Sequence, residues 1–295
     1  MNEKIRIGFI DFIPPLEKFF TTVLSVRYDV EIDNQNPQFL FFSVEDFGRN
    51  NRIFDSRSDV VKILYTGENR RPENYNCHYA ITFDHNYNKW HYRLPLYVIS
   101  NFTYKYYEGY EEYPLNYLLT PRNRNSEKEY FAGFVVKNGG QDIRNRFFHY
   151  LNSYKPVASG GPLFNNIGHV LPDIRSKIQF FNKCKFAICF ENGSYPGYAT
   201  EKLYETLMSN AIPIYWGSPT IDRDFNPNAF LDLNKFGGDF EKLLNAIKEI
   251  DNNDELYQKM LNEPAFTCNL PNECMIYDNF LNWFDSIVFK KKYMR

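Results

Sequence analysis

The sequence predicts an α/β protein built as two doubly wound halves, with a further helix closing the chain. Three observations lead there. Short continuous apolar runs of strand length alternate with polar or helix-spaced stretches, as strands buried on both faces of a parallel sheet do. A polar segment without periodicity, residues 121–128 (PRNRNSEK), separates two such series. The chain has 295 residues, 43% of them apolar, which is long enough for two domains and rich enough to give each a core.

In the first half, strands are expected at 5–12, 39–44, 60–65 and 79–83, with a helix at 16–24. After the polar linker a strand is expected at 130–136, helices at 142–151 and 172–182, and a strand at 185–190. A helix over about 200–210, a strand at 212–216, a short strand at 230–233 and one long helix at 240–261 follow. Apolar residues at 276, 280, 281, 284, 287 and 288 form a stripe that predicts a final helix over 276–290. No internal repeat or low-complexity tract interrupts this order.

Composition excludes several functions. With 34 basic and 36 acidic residues the net charge is −2, which disfavours nucleic acid as the main partner. No run of about 18 apolar residues exists to span a membrane. The opening MNEKIRIGFIDFIPP reads as a first strand rather than a signal peptide. The five cysteines are odd in number and scattered, with Cys184 and Cys189 flanking an apolar strand as buried thiols, so a reducing cytoplasm is expected. The five histidines show no metal-binding spacing, and no Gly-x-Gly-x-x-Gly follows the first strand, so neither a metal site nor a nicotinamide enzyme is expected. The 28 Phe and 23 Tyr serve core packing first; aromatic faces also suit sugars and bases. Lys290 to Lys292 complement a helix dipole, with a weak contact to an anionic membrane surface as the other reading.

The densest chemistry is in FENGSYPGYATEKLYETLMSNAIPIYWGSP, residues 190–219. The preceding strand ends at Glu191 and Asn192, at the carboxyl edge where open α/β sheets bind ligands. Pro196 and Gly197 mark a loop, Tyr198 lies near its end, and Thr200 is placed to cap the next helix. Leu203 stands where a capping box would have Glu or Gln. Lys202 falls in the first helical turn, where a positive charge opposes the dipole by roughly a few tenths of a kcal/mol. A bound diphosphate would account for it; an incidental lysine in a common strand–loop–helix would also.

This stretch resembles the donor-binding motif of the α1,3/4-fucosyltransferases, glycosyltransferase family ten. The matching residues are Phe190, Glu191, Asn192, Tyr198, Thr200, Glu201, Lys202, Pro213 and Gly217. DFNPNAF at 224–230, ILYTGEN at 63–69, RLPLY at 93–97 and FAGFVVKNGGQDIRNRFFHYLNSYKPVASGG at 131–161 resemble further stretches of bacterial members. The resemblance is clear over about 60–235 and loose at the ends. It implies a GT-B architecture: two Rossmann-like domains with parallel sheets facing a central cleft. The implied domains are 1–127 on the acceptor side, 128–274 for GDP-fucose, and a helix at 275–295 packing back toward the first. The heptad-repeat tail of some bacterial members and the anchor and cysteine pairs of animal members are not in the sequence.

The resemblance also implies roles. Glu68 would be the general base, although its position alone favours a solvated loop carboxylate. Arg144 and Lys202 would neutralise the donor diphosphate, and Asn192 and Tyr198 would line the donor pocket, with Tyr198 readable as loop packing. Glu201 would accept from ribose or sugar hydroxyls, or stabilise cationic character on fucose; the two stay open. Glu191, Asn69 and Thr200 would support these groups from behind. The implied function is inverting transfer of L-fucose from GDP-fucose to GlcNAc in N-acetyllactosamine-type glycans, through an α1,3 or α1,4 linkage and with no essential metal. A cytoplasmic location, with peripheral contact at the inner membrane face as an option, goes with it. The alternatives are a GT-B transferase with another nucleotide sugar, and a non-catalytic sugar-binding protein on the same fold.

Overall fold

A computed structural model describes residues 2–44, 59–85, 88–107, 114–119 and 127–293. The chain divides into two compact units, Met1–Thr103 with Asn272–Arg295, and Tyr104–Pro271. The expected linker lies, up to residue 126, outside the described residues. The sequence set the boundary after 127, whereas 104–127 groups with the second unit.

The first unit holds a parallel sheet of β1 (Glu3–Ile10), β2 (Tyr28–Ile32), β3 (Phe39–Phe42), β4 (Val61–Tyr65), β5 (Tyr79–Thr82) and β6 (His91–Arg93), in the order β2-β1-β3-β4-β5-β6. β3 reads FLFF and all four residues are buried, as a central strand covered on both faces requires. Helix α1 (Pro14–Leu24) starts with prolines, whose missing N–H groups would be unbonded there anyway, and buries Leu16, Phe19, Phe20, Val23 and Leu24. Helix α2 (Leu96–Tyr107) begins in this unit, and α3 (Pro114–Leu119) belongs to the second.

The second unit holds another parallel sheet: β7 (Tyr130–Phe134), β8 (Val157–Ser159), β9 (Cys184–Ile188), β10 (Ile212–Tyr215) and β11 (Leu231–Asp232), in the order β11-β10-β9-β7-β8. Its helices are α4 (Asp142–Asn152), α5 (Ile174–Asn182), α6 (Glu201–Leu207), α7 (Phe240–Asp251) and α8 (Asp254–Leu261). Asp173 caps α5 through a box with Ser176. The long helix expected over 240–261 is two helices. Asn253 accepts from the Leu256 N–H and starts α8, so a side-chain cap breaks what the apolar period alone would continue.

Strands β2, β6 and β8 and helices α2 and α3 had no counterpart in the sequence expectations. β6 and β8 are three residues each, too short for any period to show. The final helix, α9 (Tyr277–Tyr293), belongs to the first unit. Its Phe284 meets Tyr28, Phe39 and Phe41, and its Asp285 receives the Tyr28 hydroxyl and the Arg27 guanidinium. Lys290 and Lys291 lie over the rings of Tyr79 and Phe39. No disulfide is present among the described residues, and Cys184 and Cys189 are buried, which pushes the Cys184 thiol up to about 12.

Candidate functional site

The second sheet grows in both directions from β7: β8 lies on one side and β9, β10 and β11 on the other. Such a switch point leaves a crevice outside the carboxyl ends of the two central strands. Arg144, in the first turn of α4, ties the two loops that border it. Its Nη2 donates to the Asn138 carbonyl at 2.6 Å, after β7. Its Nη1 donates to Asn192 Oδ1 at 3.0 Å and, at 3.5 Å, to the Phe190 carbonyl, after β9. The residue is 2% exposed, its Nε has no hydrogen-bond partner, and among the described residues it forms no ion pair. Burial therefore lowers its pKa, with Glu191 and Tyr198 resisting at longer range. A buried cation held by neutral acceptors is costly until an anion joins it.

Beside it, Glu191 is fully buried. Its Oε1 accepts the Thr200 N–H at 2.8 Å and its Oε2 the Thr200 hydroxyl at 2.6 Å. Thr200 thus stands at the cap position of α6, but its side chain does not cap the helix as expected. A buried carboxylate is the stronger acceptor, so the hydroxyl donates its hydrogen bond to Glu191 rather than to the helix. The Lys202 ammonium lies 3.3 Å from Glu191 and 3.2 Å from Glu201, and donates to Thr200 Oγ1 at 2.9 Å. Burial opposes its charge, but the two carboxylates outweigh that and hold its pKa above the usual lysine range. The carboxylates thus supply a counter-charge for a lysine in the first turn even before any ligand binds.

Burial raises Glu191, and Lys202 opposes the rise. For Glu201 burial is outweighed by Lys202 and Lys177, which hold it down at about 2. Tyr198 is fully buried and acts electrostatically on both Arg144 and Lys202. It follows Gly197, whose φ of +84° favours glycine and whose N–H donates to the Ser218 and Thr220 hydroxyls at 2.9 and 3.0 Å. Asn192 is exposed and its carbonyl receives the Gln141 amide. A Cβ at Gly217 would stand 2.5 Å from Glu191 Cγ, so the carboxylate needs the glycine there.

The structure therefore gathers Arg144, Asn192, Tyr198, Glu191, Thr200, Glu201 and Lys202 into one constellation in the second unit. Sequence reasoning missed its support, the buried Glu205, which receives the Tyr104 hydroxyl and pairs with Lys177. Glu205 lies one turn after Glu201, and two like charges at that spacing on a buried face are a signal that a cation is near.

Glu68 and Asn69 belong to the first unit. They follow the carboxyl end of β4 and are exposed. The Glu68 N–H donates to Thr66 Oγ1 at 3.0 Å, and Asn69 Oδ1 accepts from Arg71 at 3.1 Å. Arg71 in turn pairs with the buried Asp84, to which the Thr82 hydroxyl donates at 2.7 Å. Among the described residues no cluster of three or more His, Cys, Asp or Glu could hold a metal, and no helix is long and apolar enough to cross a membrane.

Residues 7–100 match the α-(1,3)-fucosyltransferase FucT N-terminal domain, and residues 125–263 match the carboxyl-terminal domain of glycosyltransferase family 10 (fucosyltransferase). The α-(1,3)-fucosyltransferase FucT of Helicobacter pylori is 33% identical over 285 residues, which cover 87% of this chain and 58% of that protein. The mouse 4-galactosyl-N-acetylglucosaminide 3-alpha-L-fucosyltransferase 9 is 30% identical over 49% of this chain and 40% of its own length. The chain thus spans little more than half the length of the bacterial relative and less than half of the mouse one. A crystal structure of an α1,3-fucosyltransferase with GDP-fucose has a TM-score of 0.76 at 26% identity, covering 97% of this chain and 91% of that one. The two parallel-sheet, Rossmann-like domains are of the GT-B type found in these enzymes. Matched in order along the sequence, the two domain models place the chain in glycosyltransferase family 10, the fucosyltransferases.

Proposed function

We propose that this chain transfers L-fucose from GDP-fucose to a GlcNAc hydroxyl of N-acetyllactosamine-type glycans, with inversion and through an α1,3 or α1,4 linkage. The observation that carries the donor half is Arg144: a buried guanidinium at the sheet's switch point, held by neutral acceptors and with Nε unbonded. A diphosphate supplies the missing negative charge. A solved relative described with GDP-fucose supports the identity of the donor.

In this reading Glu68 takes the acceptor hydroxyl proton as that oxygen bonds to the anomeric carbon. The bond from that carbon to the β-phosphate oxygen breaks, and its electron pair leaves with GDP. Arg144 and Lys202 stabilise the growing charge, Asn192 and Tyr198 border the donor, and Glu201 meets a ribose or fucose hydroxyl. Glu191 and Thr200 hold Lys202, and Asn69 holds the Glu68 loop. The two cations make a divalent metal unnecessary.

The test is GDP-fucose with N-acetyllactosamine, in buffer and in excess EDTA, with the product linkage read by NMR. An α-linked fucoside on GlcNAc, formed with and without EDTA, is expected. A product only with another nucleotide sugar overturns the donor assignment, and activity abolished by EDTA and restored by manganese overturns the metal-free mechanism.

A further inference from the structure

In the first unit the loop after β4 carries Glu68. Among the described residues, each hydrogen bond of Glu68 is made by its backbone. Its N–H donates to Thr66 Oγ1 at 3.0 Å, and its carbonyl accepts the Arg70 N–H at 2.6 Å and the Thr66 hydroxyl at 3.4 Å. The exposed carboxylate is therefore aimed by the backbone of its loop. That loop is anchored on both sides of Glu68. Ahead of it, Thr66 is fully buried and its N–H donates to the Ile81 carbonyl of β5 at 3.1 Å. After it, Asn69 Oδ1 accepts from Arg71 Nη2 at 3.1 Å, and Arg71 Nη1 pairs with Asp84 Oδ1, just past the carboxyl end of the same strand. The guanidinium carbon lies 4.6 Å from the centre of the Phe83 ring.

Asp84 is itself fixed. It is 6% exposed, its Oδ2 accepts the Thr82 hydroxyl at 2.7 Å, and its N–H donates to Thr82 Oγ1 at 3.1 Å. A hydroxyl has one proton and a carboxylate can only accept it. The His91 ring on β6, with Nε2 2.7 Å from Thr82 Oγ1, is therefore the donor at that contact. Buried side chains of two neighbouring strands thus lead to Arg71, whose planar fork puts one nitrogen on Asp84 and the other on Asn69. A largely buried ion pair adds little net stability, since desolvation offsets its attraction; what this one adds is geometry. We propose that Arg71, fixed by Asp84, is a positioning residue for the transfer step: through Asn69 it sets the Glu68 loop, and so the direction of the carboxylate. This rests on the reading of Glu68 as the base and adds to it the group that aims it.

The test is steady-state kinetics with GDP-fucose and N-acetyllactosamine, with GDP titration and melting curves, on Arg71→Lys and Asn69→Ala, each alone and combined with Glu68→Gln. Arg71→Lys keeps a cation beside Asp84 but has no fork to span both partners. Asn69→Ala leaves the ion pair whole, so it carries the test if the lysine variant fails to fold. Misplacing a reacting group by about 1 Å can cost about 10²-fold in rate. Both single variants should therefore lower kcat at least about tenfold, with GDP affinity and melting near wild type. In the Glu68→Gln background no base remains to be aimed, and each should lower kcat by less than about twofold more. A further loss there as large as in the wild-type chain would mean that they act independently of Glu68. Wild-type kcat in the single variants, or a loss confined to GDP affinity, would leave Arg71 and Asn69 no part in aiming the base. Each of these results overturns the proposal and leaves the base assignment standing. Wild-type turnover in Glu68→Gln alone would instead overturn that assignment, and the proposal with it.

Discussion

Arg144 and Lys202 bring the same formal charge to the second domain, but only Lys202 has counter-charges in contact with it. Lys202 has two carboxylates within 3.3 Å, whereas Arg144 has carbonyl and amide oxygens. Lys202→Ala should therefore weaken the protein as well as the reaction, because Glu191 is left buried without its cation; removing one partner of such a pair costs about 3–5 kcal/mol. Calorimetry with GDP and a melting curve should show both losses. Glu68→Gln should behave otherwise: kcat should fall by ~10²–10⁴ while GDP affinity and melting stay near wild type. A variant retaining more than about a tenth of wild-type kcat would remove Glu68 from the role of base. Asp232 offers a pH test. Its folded pKa of about 6 lies above the ordinary value of 3.8, so its stability contribution is full below the lower value and is lost as pH rises through the upper. Asp232→Asn should therefore stabilise the fold by roughly 2–3 kcal/mol at pH 8 and by little near pH 4, as denaturant titrations at the two pH values would show.

At the scale of elements, the donor constellation depends on loops pressed together at the sheet's carboxyl edge. After β8 the chain passes so close to the loop after β7 that a Cβ on Gly161 would lie 2.4 Å from the Val136 carbonyl oxygen and 2.5 Å from its nitrogen. Backbone cannot yield as a side-chain tip can. Gly161→Ala should cost about 1–3 kcal/mol and weaken GDP binding by displacing the loop that carries Asn138. Differential scanning calorimetry with and without GDP measures both, and unchanged melting would mean that the loops separate freely. The atoms that Gly161 has to clear belong to a residue 25 positions earlier, so no local stretch of sequence shows the crowding. The seven-residue α6 was legible as a helix, yet the partner of Thr200 was not, since Glu191 reaches it only after the loop has folded back.

For the whole chain, the last helix completes the first unit rather than the second, which precedes it in sequence. Phe284 is fully buried among Tyr28, Phe39, Phe41 and Phe280, so Phe284→Ala should cost about 3–5 kcal/mol. Arg27 forms the ion pairs to Asp278 and Asp285 on the same helix but keeps 29% of its side chain exposed, and Arg27→Ala should shift melting much less. Urea titration of both variants is the check. An Arg27 effect as large as that of Phe284 would mean that charge, not aromatic packing, holds the helix to its unit.

The sequence by itself determined the periodic and the contiguous. Apolar runs at β1, β3, β4, β5, β7, β9 and β10 are local and showed as strands, and the stripe on α9 showed as a helix. The stretch from Glu191 to Lys202 places its chemistry within a dozen positions, so its residue types could be read together. Tertiary structure decided whatever needed two distant segments in register. It set the order of strands that creates the switch point, the neutral cradle of Arg144 and the Lys177–Glu205–Tyr104 support. It also left Asp232 with one buried oxygen unmet. The physical reason is that burial and pairing set charge and pKa, and both are properties of neighbours in space that no single stretch of chain contains.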